Sequence, residues 1–197
     1  MKITSARFIT SAVGLDDCPQ SEMPEFAFIG RSNVGKSSLL NLLCNQKLLA
    51  KVSSKPGRTR LINFFVINED CCFVDLPGYG YAKAAKSERQ RFNDFVADYI
   101  EFREGLKHVF MLIDSRHEPM TIDIDHVTWL VERKVAFSLV FTKSDKVKPG
   151  RMKTNQKLFL EALSEYTDGE PLMFTTSAKS EDGRLDMLQF IDGLARS

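Results

Sequence analysis

The chain has 197 residues, 43% hydrophobic and 27% charged, with a formal net charge of +1. This length suits one domain with a full core, expected here to span 1–197 with residues 1–22 as an N-terminal edge-strand extension. The near-neutral balance excludes a polyelectrolyte partner for nucleic acid, so any such contact must come from a local patch.

In chain order, MKITSARFITSAVG breaks its first apolar stretch with charge, unlike a signal peptide, and residues 3–13 read as an edge strand. Short apolar runs follow at FAFIG (26–30), LINFFVI (61–67), CCFVDL (71–76), HVFMLID (108–114), AFSLVFT (136–142) and PLMFTT (171–176). Several are apolar at consecutive positions, as strands covered on both faces must be. Helical spacing marks SLLNLL and residues 87–102, 121–133, 152–166 and 183–194. The alternation predicts an α/β fold: a doubly wound, mostly parallel sheet of six to seven strands with helices on both faces. Residues 46–60 lack an element, and a loop of that length is usually functional. No run approaches the ~20 apolar residues of a membrane span. Cys18, Cys44, Cys71 and Cys72 form no CxxC pair and read as buried, reduced thiols in a cytoplasmic protein. Cys71 and Cys72 would face opposite sides of a strand.

Directly after the strand at 26–30, GRSNVGKSS matches G-x-x-x-x-G-K-[ST], with a helix behind it. Backbone N–H groups of Gly30, Arg31, Ser32, Asn33, Val34 and Gly35 would surround phosphates. Lys36 would reach the β/γ oxygens, Ser37 would face Mg²⁺, and Ser38 belongs to the helix N-terminus. TKSD, Thr142 to Asp145, follows the strand at 136–142. One carboxylate, Asp145, can accept from guanine N1–H and the 2-amino group together, whereas adenine would leave it unpaired. The stem of Lys143 can lie along the base, with Ser144 in the same turn. Thr176, Ser177, Ala178 and Lys179 end the last strand, where the Ala178 N–H would meet guanine O6. These features select GTP/GDP and exclude a P-loop kinase or ATPase.

DLPG, Asp75, Leu76, Pro77 and Gly78, supplies a water-mediated Mg²⁺ contact at Asp75 and a γ-phosphate sensor at the Gly78 N–H. Gly57, Arg58 and Thr59 lie in KPGRT, and the Thr59 hydroxyl would complete the metal shell, making 46–60 a switch. Lys36, Thr59, Gly78 and Asn33 are the residues expected to act in hydrolysis; Ser37, Thr59 and Asp75 are the expected metal ligands.

The phrases GRSNVGKSSLLN, KPGRTRLINFF, DLPGYGYAK, TKSDK and TTSAK resemble the EngB/YsxC/YihA family of bacterial ribosome-biogenesis GTP-binding proteins, over nearly the whole chain. The resemblance implies GTP with Mg²⁺, association with the large ribosomal subunit and its rRNA during assembly, and a tie to cell division and septation. It implies no DNA or membrane partner, and a monomer is expected. Thr142 stands where GTPases usually carry asparagine, which predicts fewer tethering hydrogen bonds and micromolar nucleotide affinity. Tyr79 stands where many carry a water-orienting glutamine, so intrinsic hydrolysis should be slow. Two readings of Tyr79 stay open: packing within the switch, or direct contact with catalysis or a partner. Asn33 either holds K⁺ against the phosphates, as in related GTPases, or only shapes the loop.

Three basic runs surround this edge: Lys143, Lys146, Lys148, Arg151, Lys153 and Lys157; Lys83, Lys86, Arg89 and Arg91; Lys47, Lys51, Lys55, Arg58 and Arg60. Together they point to an rRNA patch. His108, His117 and His126 have no metal-ligand spacing, and Trp129 reads as packing. The function expected is a slow GTPase switch in large-subunit assembly. The alternative is a nucleotide-gated scaffold whose turnover is incidental.

Overall fold

The computed structural model describes residues 1–46, 48–50, 61–79 and 86–196, with the side chains of 86–93 excepted. Seven strands are described: β1 Ala6–Ala12, β2 Glu25–Gly30, β3 Ile62–Ile67, β4 Cys71–Asp75, β5 Leu106–Asp114, β6 Phe137–Thr142 and β7 Met173–Thr175. The helices are α1 Lys36–Leu43, α2 Lys86–Phe102, α3 Thr121–Glu132, α4 Pro149–Leu163 and α5 Arg184–Ala195. The strands form one sheet in the order β1-β3-β4-β2-β5-β6-β7. β1 and β3 run antiparallel to their neighbours, and the ladders β4-β2, β2-β5, β5-β6 and β6-β7 are parallel. The expected edge strand is β1, antiparallel to β3.

Strand periodicity divides the core into two layers. Ala27, Ile29, Val109, Met111, Ile113, Leu139 and Phe141 pack with α2, α3 and α4 residues such as Tyr99, Val127 and Phe159. Phe26, Phe28, Phe110, Leu112 and Val140 pack with Leu39, Leu40, Leu43, Met187 and Ile191 of α1 and α5. Cys72 joins the first layer and Cys71 the second, the opposed faces that their adjacency predicts. All four cysteines are buried and free of disulfides, and burial pushes their thiols up to about 11 or 12. At the centre, Phe28 stacks on Phe110 with centroids 5.0 Å apart and meets Phe73 edge-on at 5.3 Å. Truncating such a ring to alanine costs about 3–5 kcal/mol.

Helix α4 begins at Pro149, ahead of the expected 152. Proline suits the first helical position, where its missing N–H has no intrahelical partner to lose. Trp129 packs against the core beneath Arg133, whose guanidinium carbon lies 4.3 Å from the ring centroid. Among the described residues no helix is long and apolar enough to cross a membrane.

Candidate GTP-binding site

The site lies at the carboxyl end of the parallel strands, where β2, β4, β5, β6 and β7 deliver their loops together. The turn Gly30–Gly35 leads from β2 into α1, with Val34 buried and its N–H bonded to the Arg31 carbonyl at 3.1 Å. Asn33 adopts the left-handed region at φ 64°, which asparagine tolerates better than most residues. Lys36, Ser37 and Ser38 form the first turn of α1. The Lys36 ammonium donates to the Asp75 carboxylate at the end of β4, so the cation and the carboxylate of the phosphate end face each other. Asn63 Nδ2 adds a longer contact to the other Asp75 oxygen at 3.4 Å.

The base end is a cavity of about 260 Å³ lined by residues including Gly35, Ser38, Thr142, Lys143, Asp145 and Ala178. Thr142 is buried, and its hydroxyl donates to the Val34 carbonyl at 2.6 Å, with the Ile113 carbonyl at 3.2 Å. The tether to the phosphate loop is therefore made here by a hydroxyl. The Lys143 ammonium spans the Asn33 carbonyl at 2.6 Å and Asp114 Oδ2 at 2.8 Å. Lys143 thus bridges the phosphate loop and the end of β5. Ser177 Oγ donates to Asp145 Oδ1 at 2.9 Å and receives the N–H groups of Lys179 and Ser180, both at 3.2 Å. The Ser144 N–H bonds to the Thr176 carbonyl at 3.1 Å, locking the two base loops side by side. The hydrogen bond from Ser177 holds the Asp145 carboxyl below its ordinary range, so it stays an acceptor in mild acid.

A family model described as a 50S ribosome-binding GTPase matches residues 25–143. The chain is 47% identical over 197 residues, the whole of both chains, to a probable GTP-binding protein EngB of Christiangramia forsetii. It is 46% identical to the corresponding EngB protein of Phocaeicola vulgatus, across all of this chain and 98% of that one. The chain belongs to the EngB family of GTP-binding proteins. A crystal structure of a probable GTP-binding protein EngB shares the fold at a TM-score of 0.68, with 24% identity over 87% of this chain and 98% of that one. A variant of Aquifex aeolicus Era bound to GDP·AlF4⁻ shares it at 0.67, with 20% identity over 89% of this chain and 57% of that one.

As an EngB-family GTPase, the protein binds GTP and GDP and hydrolyses GTP. The glycine loop, DLPG, TKSD and SAK segments lie together at this end of the sheet. Gly57, Arg58 and Thr59, together with residues 47 and 51–60 of the switch expected at 46–60, lie outside the described residues. The side chain of Arg31 turns away from the phosphate loop. Its Nε lies 3.1 Å from both oxygens of Asp123 on α3, so only its backbone belongs to the phosphate loop. Leu76 likewise turns into the core, while its N–H bonds to the Phe28 carbonyl at 3.0 Å.

Tyr79 is buried. Its phenol donates to Asp123 Oδ1 at 2.8 Å, and its ring stacks on His126 with centroids 3.7 Å apart. Packing and hydrogen bonding are the role the structure displays. Burial, then the neighbouring Asp123 charge, raises the phenol well above its ordinary value, so it remains a donor. Burial also lowers His126, which stacks as the neutral ring.

Two residues escaped the sequence reading. Asp114 ends β5 and binds Lys143 and Arg116; burial works to raise its carboxyl, but the Arg116 and Lys143 hydrogen bonds outweigh this and hold it well below the usual range. An acidic residue closing an apolar run was the available signal. Asp123 carried none, being one of several acids on an amphipathic helix.

Proposed function

We propose that this GTPase is a Mg²⁺-dependent switch in assembly of the large ribosomal subunit, docking on the subunit through rRNA and needed for normal division and septation. The observation that carries the switch reading is the Lys36–Asp75 pair. Phosphate oxygens at the β and γ positions would draw Lys36 away and leave Asp75 facing a cation, so nucleotide binding and the geometry after β4 are coupled, and a γ-phosphate adds the contact at Gly78. The Mg²⁺ site fits the donor set: an Asp75 carboxylate aimed at the phosphate loop and a Ser37 hydroxyl at the start of α1 are hard oxygen donors. Thr59 would join them. Mg²⁺ would neutralise charge on the β- and γ-phosphates.

The rRNA reading is supported by Lys146, which lines the base cavity, and by Lys148, Arg151, Lys153 and Lys157 on the approach to α4 and along it, all exposed. Acidic partners temper it: Lys146 lies 3.5 Å from Asp145, Arg151 3.0 Å from Glu118 and Lys157 3.5 Å from Glu161. Such exposed pairs are weak and exchange readily for phosphate. The side chains of the other two basic runs lie outside the described residues. A K⁺ role for Asn33 belongs to the same proposal, although its left-handed backbone already explains an asparagine there.

Tyr79 favours a second reading. With the phenol engaged by Asp123, no side chain at this position orients water, and the GTP-bound state itself could be the function. Single-turnover hydrolysis in potassium buffer, with and without purified large subunits, tests both. Strong acceleration by subunits means that hydrolysis is a release step. GTP-dependent docking without acceleration means a nucleotide-gated scaffold. Docking indifferent to nucleotide sinks both readings.

A further inference from the structure

Gly78 is held from both sides. Before it, the Leu76 N–H bonds to the Phe28 carbonyl at 3.0 Å. After it, the Tyr79 N–H bonds to the Gly30 carbonyl and the Ser32 N–H to the Tyr79 carbonyl, both at 3.2 Å. Among the described residues no acceptor takes the Gly78 N–H. The segment lies so close to the phosphate loop that a Cβ on Gly78 would stand 3.0 Å from the Gly30 oxygen and 3.1 Å from the Ser32 nitrogen.

The rear anchor does not end with the backbone. Asp123, 1% exposed, accepts from the Tyr79 phenol at 2.8 Å and from Arg31 Nε at 3.1 Å. Arg31 belongs to the phosphate loop and Tyr79 to the segment carrying Gly78, and their backbones form a parallel bridge. One buried carboxylate therefore pins the side chains of both strands of that bridge to α3. His126, one turn on, covers the Tyr79 ring and accepts no bond from the phenol; its Nδ1 lies 2.9 Å from the Ile122 carbonyl.

We propose that Asp123 is a positioning residue for γ-phosphate recognition: by fastening Tyr79 and Arg31 together it keeps the Gly78 N–H beside the phosphate loop. This rests on the reading of Gly78 as the γ-phosphate sensor. Charge-assisted hydrogen bonds in a buried site are the strong kind. Loosening them frees a segment whose ligand contact exists in GTP and not in GDP. The loss should fall on GTP alone.

The test compares binding of a non-hydrolysable GTP analogue and of GDP, by calorimetry, in Tyr79→Phe, Asp123→Asn and Gly78→Ala. Tyr79→Phe keeps the ring on His126 and removes only the hydroxyl. Asp123→Asn keeps an acceptor for the phenol and removes the charge facing Arg31. We expect Tyr79→Phe to weaken the analogue about tenfold, as loss of one such bond implies, Asp123→Asn to weaken it less, and GDP to stay within about twofold in both. GDP affinity also reports that each variant is folded. Equal losses for both nucleotides would reduce Asp123 to a stabiliser of the fold; no change, or tighter analogue binding, would overturn the proposal outright. Gly78→Ala separates the two claims. If it fails to split analogue from GDP, the γ-phosphate reading of Gly78 is itself wrong; if it splits them and the other two do not, only the role of Asp123 falls.

Discussion

The hydroxyl of Thr142 and the carbonyl of Val34 meet at 2.6 Å across 108 positions of sequence. That bond ties the base loop to the phosphate loop. A hydroxyl has one proton, and the Ile113 carbonyl at 3.2 Å competes for it. Thr142→Val, nearly isosteric, would leave the buried Val34 carbonyl without its donor, at about 1–3 kcal/mol. GDP and GTP should both bind about tenfold more weakly than to the wild type. Titration calorimetry checks this, and unchanged affinity would show the tether to be dispensable.

Asp145 accepts from Ser177 with one oxygen and keeps the other toward the cavity mouth, near Lys146. Asp145→Asn keeps one acceptor for guanine N1–H but turns an NH2 donor on the 2-amino group. GTP affinity should fall at least ~100-fold, because a site built on hydrogen bonds rejects a mismatched partner strongly. Xanthine nucleotides, with an acceptor at C2, should bind better to the variant than to the wild type. Competition against a fluorescent nucleotide reads both changes, and retained guanine preference would contradict the pocket assignment.

Gly183 caps α5 at φ 72°, and a Cβ there would stand 2.1 Å from the Thr175 carbonyl. Both the conformation and the space require glycine. Gly183→Ala should lower stability by about 2 kcal/mol or more. Because Thr175 leads into Thr176 and Ser177, nucleotide should protect the variant less against denaturant than it protects the wild type. Urea melts with and without GDP measure this; equal protection would show that the base loop tolerates the shift.

His108 is buried against Phe110 and Phe190, with Nε2 2.8 Å from Ser138 Oγ. Burial lowers its pKa from 6.5 to about 4. The folded protein therefore resists a proton that the unfolded chain accepts. No penalty exists above pH 6.5; it grows as pH falls and is complete below about 4, reaching about 3 kcal/mol. The double variant His108→Leu, Ser138→Ala removes both polar partners and should flatten the fall in melting temperature between pH 6.5 and 4. An unchanged slope would place the acid sensitivity elsewhere.

The amino-acid sequence determined the local parts. Consecutive apolar residues in 26–30, 71–76 and 136–142 left those segments no option but strands covered on both faces. The glycine loop, DLPG, TKSD and SAK declared guanine-nucleotide chemistry because each places its groups within one turn, where spacing along the chain is also spacing in space. Tertiary structure decided the connections between them. That β1 runs antiparallel to β3, that Lys36 meets Asp75, that Lys143 reaches Asp114, and that Tyr79 turns from the phosphates to Asp123 all depend on strand order and on which helix covers which face. Partners separated by dozens of residues share no local pattern. Only the register of the sheet brings their side chains within hydrogen-bond reach.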